Sequence, residues 1–226
     1  LVARLQKLSV SDFSRLMGVS KNLAVLNVKR YRNWLSSPVG SDAKQALLAF
    51  RGDIYAAMDA DLYKIRDFNF AQKHLRILSG LYGILRPLDL IQPYRLEMAA
   101  KLTTDRGQDM YRFWGTRITA YLNEMLKREK SGVLINLASA EYFKAANPKL
   151  LRADVITPFF KEYKDPSYRV VAIYAKKARG LMSDYIIQNR ITRVEDLQAF
   201  DSDGYRFAPR LSSQSDWVFT RGDVTA

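Results

Sequence analysis

Gly18, Val19 and Ser20 interrupt two stretches of apolar periodicity within "LMGVSKNLAVLN" (16–27), and the chemistry such a break offers is anion binding. Ser9 can cap a first helix with Asp12 in its first turn, Gly18 can end it in the left-handed conformation, and Ser20 can cap the next. Small Ala24 lets the two helices approach closely. The amides of Gly18, Val19 and Ser20 would then point outward at a helix start, where partial positive charge gathers. Lys21, Lys29, Arg30 and Arg32 follow on the second helix with Tyr31 and Trp34 among them, a pattern suited to nucleic-acid phosphate. A plain packing hairpin is the other use of the same residues.

A second cationic group, Lys176, Lys177 and Arg179 in "YAKKARGLM" (174–182), falls where a strand is expected to turn into a helix. Cations in a first helical turn oppose the macrodipole by about 0.3–1 kcal/mol each, so a bound phosphate or nearby carboxylates such as Glu141 or Asp184 should answer them.

A third group lies in "SGLYGILRPLDLIQPYRLEM" (79–98), a run of apolar residues broken by two glycines and two prolines. Arg86, Asp89, Arg95 and Glu97 stand among apolar neighbours and need partners, because unpaired buried charge is costly. They form either a structural ion-pair network or a pocket for a small anionic ligand, which Arg86, Arg95, Glu97, Glu141 and Tyr142 would line. Ser139 in "INLASAEYFKA" (135–145) has no histidine placed to activate it and reads as a helix cap.

Other chemistries are closed off by composition. There is no cysteine and a single histidine, His74, which leaves no thiolate or multi-histidine metal site, and the carboxylates show no di-iron spacing. We therefore expect no cofactor and no stoichiometric metal. The 226 residues carry 36 Lys and Arg against 23 Asp and Glu, a net charge of +13, which favours a polyanionic partner. The excess gathers in residues 1–35, 73–130 and 161–193. No run approaches the roughly 20 apolar residues of a membrane span, and no leader is evident, so a cytoplasmic protein is expected. The chain starts at Leu1 already in a helical pattern, as though a segment upstream were missing.

The elements that must hold these groups are helices over 1–8, 10–17, 20–34, 42–50, 69–82 and 107–127, read from apolar spacing of three to four. Strands are expected over 132–137, 154–160 and 168–174, the last two as a hairpin around "KEYKDPS", with 216–221 as an edge strand. A helix over about 175–190 follows, and "TRVE" (192–195) has capping-box form. "SSPVGSD" (36–42) is a loop. The fold class is mixed α/β (α+β), a single domain over 1–226 with a mixed or antiparallel sheet flanked by helices and a helix-hairpin-helix element near 10–34.

The strings "LSGLYGILRPLDLIQPYRLEM", "INLASAEYFKAANPKLL" and "YAKKARGLMSDYIIQNRI" resemble the YaaA family of bacterial peroxide-stress proteins, over nearly the whole chain. That resemblance implies a cytoplasmic protein with an uncommon mixed α/β fold. It further implies a helix-hairpin-helix element and a cationic cleft for double-stranded DNA, with Ser20 standing where that motif has its second glycine. It also implies an oxidative-stress role that lowers free iron and the DNA damage iron and peroxide cause together; with one histidine and no cysteine, any effect on iron should be indirect.

The expected function is largely sequence-independent binding of duplex DNA through Gly18, Val19, Ser20, Lys21, Lys29, Arg30, Arg32, Lys176, Lys177 and Arg179. The alternatives are an enzyme acting on an anionic small molecule or nucleic acid, with no recognisable catalytic motif, and an RNA- or protein-interaction module.

Overall fold

The computed structural model describes residues 1–38, 40–130 and 132–222; of the expected loop at 36–42, Val39 lies outside the described residues. In chain order the helices are α1 (Val2–Leu5), α2 (Val10–Met17), α3 (Lys21–Arg32), α4 (Ala46–Ala49), α5 (Asp53–Met58), α6 (Ile65–His74), α7 (Met110–Trp114), α8 (Arg117–Arg128), α9 (Ala140–Lys144) and α10 (Ala172–Gln188). The strands are β1 (Lys44–Gln45), β2 (Ile77–Ser79), β3 (Gly83–Leu85), β4 (Leu90–Ile91), β5 (Val133–Ile135), β6 (Asp154–Lys164), β7 (Ser167–Arg169), β8 (Arg206–Phe207) and β9 (Asp216–Arg221). The fold is mixed α/β, as the residue pattern predicts.

Contacts divide the chain into two compact units. One takes residues 1–49, 76–122 and 139–150; the other takes 50–75, 123–138 and 151–226.

In the first unit, α2 and α3 pack as an αα-hairpin whose inner face is Phe13, Ala24, Val28 and Tyr31. Tyr31 is fully buried, with its ring stacked on Trp34 at 5.9 Å and its hydroxyl donated to the Arg95 carbonyl. It is a core residue, so the expectation that aromatic rings interleave with the cations on an exposed face fails for it. Small antiparallel ladders, β1 with β4 and β2 with β3, brace the segment that follows. The β2–β3 hairpin corrects the helix expected through residue 82: α6 ends at His74 because Leu75 turns extended. The 42–50 stretch likewise divides into a 3-10 turn, β1 and α4.

The second unit is built on a mixed sheet of order β5-β6-β9-β8, with β7 paired to β6. β6 runs parallel to β5 and β9, while β7 and β8 pair antiparallel. Alternation along β6 buries Ile156, Pro158, Phe160 and Glu162 on one face. Phe160 meets Phe200, Tyr205 and Phe219 there, and α10 covers them with Ala175, Ala178 and Met182. The strand at 216–221 is internal, between β6 and β8, and corrects the edge position expected for it. The expected strand at 168–174 ends at Arg169, since α10 begins at Ala172. Residues 194–199 form a 3-10 turn without a side-chain cap, where a capped helix was expected.

α10 comes against α5 at Gly180. A Cβ at that position would lie 2.1 Å from the Ile54 carbonyl oxygen, so only glycine allows the crossing.

Candidate functional site

Both expected caps of the hairpin form. Ser9 Oγ accepts the Asp12 amide at 3.1 Å, Asp12 Oδ2 accepts the Ser9 amide at 3.3 Å, and Ser20 Oγ accepts the Leu23 amide at 3.4 Å. Gly18 takes φ 59°, ψ 36°, the left-handed C-cap conformation.

The amides are arranged otherwise than expected. Gly18 and Val19 both donate to the Ser14 carbonyl, Val19 at 3.2 Å, and Ser14 Oγ donates to the Val19 carbonyl at 2.6 Å. Closing the last turn of α2 thus uses two of the three N–H groups expected to meet phosphate, those of Gly18 and Val19. Lys21 and Asn22, in the first turn of α3, have no intrahelical acceptor for theirs, which moves the available donors toward the start of α3.

The cations of α3 also divide. Lys21, Lys29 and Arg32 are exposed and, at 100° per residue, lie within about 80° of one another around the helix. Arg30 is half-buried and donates to Asn27 Oδ1 at 3.4 Å, while Asn27 donates to the Leu23 carbonyl at 2.8 Å. Leu23, Val25 and Leu26 are exposed on the same helix.

On α10, Lys176 and Lys177 are exposed and Arg179 is half-buried. Because the helix starts at Ala172, all three lie beyond its first turn, and the dipole conflict expected there is absent. Lys177 Nζ pairs with Asp203 Oδ2 at 3.1 Å, in place of the expected Glu141 or Asp184. Arg179 Nη1 donates to the Ala138 carbonyl at 3.2 Å, its Nε is buried without a hydrogen-bond partner, and burial lowers its pKa.

Asp203 belongs to a network that residue spacing gave no sign of. Arg221 bonds both Asp203 and Glu162, lies over the rings of Tyr174 and Tyr205, and shares Glu162 with the Tyr205 hydroxyl. Burial works against the Arg221 charge, but the Glu162 hydrogen bond and the surrounding negative groups raise its pKa overall.

Of the five expected pocket residues in the first unit, four come together. Arg95 Nη2 is 3.3 Å from Glu97 Oε1, and Tyr142 donates to Glu97 Oε2 at 3.0 Å. Glu141 Oε1 accepts the Ala99 amide at 2.9 Å, and its carbonyl accepts the Tyr111 hydroxyl at 3.1 Å. Arg86 is not among them: it closes its own turn on Asp89, with Nε at 3.1 Å and Nη2 at 3.0 Å from Oδ1. Burial, then Glu97, pushes the Tyr142 phenol up, so it serves as a proton-bearing donor. Ser139 caps α9, its Oγ accepting the Tyr142 amide at 3.4 Å. His74 stacks on Phe70 at 4.2 Å.

Among the described residues no group of three or more His, Asp or Glu could hold a metal ion, and no helix is long and apolar enough to cross a membrane.

Fold and site define a basic mixed α/β protein with a cationic αα-hairpin and a separate phenol–carboxylate–guanidinium cluster. The chain belongs to the family described as peroxide stress protein YaaA, whose model matches residues 1–211. It is similar to a UPF0246 protein of Saccharophagus degradans, 52% identical over 221 residues, covering 98% of this chain and 86% of that protein. A UPF0246 protein of Acaryochloris marina is 53% identical over 221 residues, covering 98% and 87%.

Proposed function

We propose that the protein binds double-stranded DNA through its phosphates, in the cytoplasm and during peroxide stress, and that it limits iron-dependent damage indirectly by acting at the DNA. The observation that carries this reading is the face of α3: Lys21, Lys29 and Arg32 are exposed on one side, and none forms an ion pair among the described residues. Ser20, Lys21 and Asn22 at the start of that helix suit one phosphate, with Gly18 and Val19 fixing the turn. Arg30 braces the helix through Asn27. On α10, Lys176 and Lys177 supply further contacts, and Arg179 positions that stretch. Contacts made to phosphate carry no base readout, so affinity should be nearly independent of sequence.

Fluorescence anisotropy on two unrelated duplexes tests it. Log affinity should fall with log salt at a slope of about −0.9 per phosphate neutralised, and Lys21→Gln, Lys29→Gln and Arg32→Gln should each make the slope shallower by about one unit or less. A triple variant that binds both duplexes as the parent does would overturn the reading. Preference for duplex RNA in competition would move it to an RNA-binding module.

A second reading has one specific observation in its favour: the Glu97 carboxylate is held between a phenol and a guanidinium. In an enzyme acting on an anionic small molecule or nucleic acid, Arg95 would bind the anion, Glu97 would accept a proton and Tyr142 would donate one. Turnover lost in Glu97→Gln, with DNA binding intact, would select it.

A further inference from the structure

The first unit contains a concave basin of about 740 Å3 between α1, the start of α2 and the 99–103 segment. Four cations converge on it from separate stretches of chain: Arg4, Lys7, Arg15 and Lys101. Its one carboxylate, Asp12, is already occupied by the Ser9 hydroxyl and amide and by Arg15. The Ser9 hydrogen bond and then the Arg15 guanidinium lower its pKa, so it remains charged and spent. Arg4 is held in place by its Nε, which donates to the Thr103 carbonyl at 3.2 Å. Lys7 and Lys101 are exposed and form no ion pair among the described residues.

Four cations against one carboxylate leave a net +3 in a concavity, which concentrates the field and attracts anions. Because the charges come from several sides, a ligand needs more than one anionic centre to meet them. Leu8, Leu16 and Leu102 supply apolar lining beside the cations. A duplex backbone has no compact apolar part to cover those leucines, whereas small-ligand sites commonly have volumes of about 300–1,000 Å3 and apolar walls.

We propose that this basin binds a free nucleoside di- or triphosphate, with the linked phosphates on Lys7, Lys101, Arg4 and Arg15 and the base against the leucines. No aromatic ring lines the basin, so the identity of the base matters little and the number of phosphates sets affinity. The inference is independent of the DNA reading and uses none of its residues.

Isothermal titration of the full chain with ATP, ADP, AMP, adenosine and inorganic triphosphate tests it. Affinity should rank ATP above ADP above AMP, with adenosine silent, and GTP should match ATP. Lys7→Gln should weaken ATP binding by about fivefold, and Lys7→Gln with Lys101→Gln by roughly 25-fold. Both side chains are exposed, and circular dichroism would check that the variants fold. Lys29→Gln with Arg32→Gln, on α3, should leave ATP binding unchanged while weakening DNA binding. No saturable ATP binding, or parent-like binding by the folded double basin variant, would overturn the proposal. So would displacement of ATP by plain duplex at equal phosphate concentration, because the basin would then be part of the DNA surface.

Discussion

Glu162 and Arg221 face each other from adjacent parallel strands, Oε2 and Nε 2.9 Å apart, both largely withdrawn from solvent. A carboxylate in that position is tolerable only because Arg221 and the Tyr205 hydroxyl both meet it. Breaking a buried pair from one side leaves a charge without compensation. Arg221→Met should therefore cost about 3 kcal/mol of unfolding free energy in urea at neutral pH, and adding Glu162→Gln should recover part of that loss. A loss below about 1 kcal/mol would show that solvent already screens the pair.

Alkaline pH provides a second test. Burial first, then neighbouring carboxylates, raises the Tyr142 and Tyr205 phenols above their ordinary value of 10.0. A folded-state pKa above the unfolded one gives stability that is fully present below pH 10.0 and is lost as pH rises beyond it, because only the unfolded chain then releases the proton. Urea midpoints should be insensitive to these groups near neutrality and fall above about pH 10.

The α10 cations should separate by environment. Lys176→Gln should change stability by no more than about 0.5 kcal/mol. Lys177→Gln should cost at most about 1 kcal/mol, because its pair with Asp203 is half-exposed. Arg179→Gln should be the most damaging of the three, since it removes the donor to Ala138 from a partly buried position. Thermal unfolding of the three single variants measures the ranking, and equal effects would refute it.

Gly180→Ala should destabilise by about 2 kcal/mol or more, because the added methyl collides with the Ile54 backbone, which cannot swing aside as a side chain would. A Cβ at Gly18 would meet no atom within 4 Å, so Gly18→Ala should cost about 1–2 kcal/mol through its left-handed backbone. Chemical denaturation of both variants distinguishes steric from conformational strain.

Local chemistry made the hairpin legible: Ser9, Gly18 and Ser20 are the residue types that helix ends demand, and each takes the expected position. The β-branched and aromatic run at 154–160 declared its strand in the same way. Misreadings arose where one pattern serves two structures. Apolar spacing through "RILSGLYGIL" fits a helix as well as the β2–β3 hairpin that forms, and the β-branched "VV" before α10 looks like more strand although the helix starts one residue later. Hydrogen-bond choices were out of reach altogether. No residue type reveals that Ser14 takes the Gly18 and Val19 amides, or that Lys177 selects a carboxylate 26 positions away. In the candidate cluster, Arg95, Glu97, Glu141 and Tyr142 were legible as charges and hydroxyls needing partners, whereas Arg86 satisfied the same need within its own turn.

The placement of β9 between β6 and β8 also dictates an order of events on the ribosome. A nascent chain that has emerged only as far as residue 215 carries β6 with β5 on one side but without β9 on the other, and β8 without its antiparallel partner. Hydrophobic strand edges left open in this way can pair with other chains. Translation therefore delivers the strand that joins the sheet after the strands it joins, and those edges stay open until residue 221 has emerged.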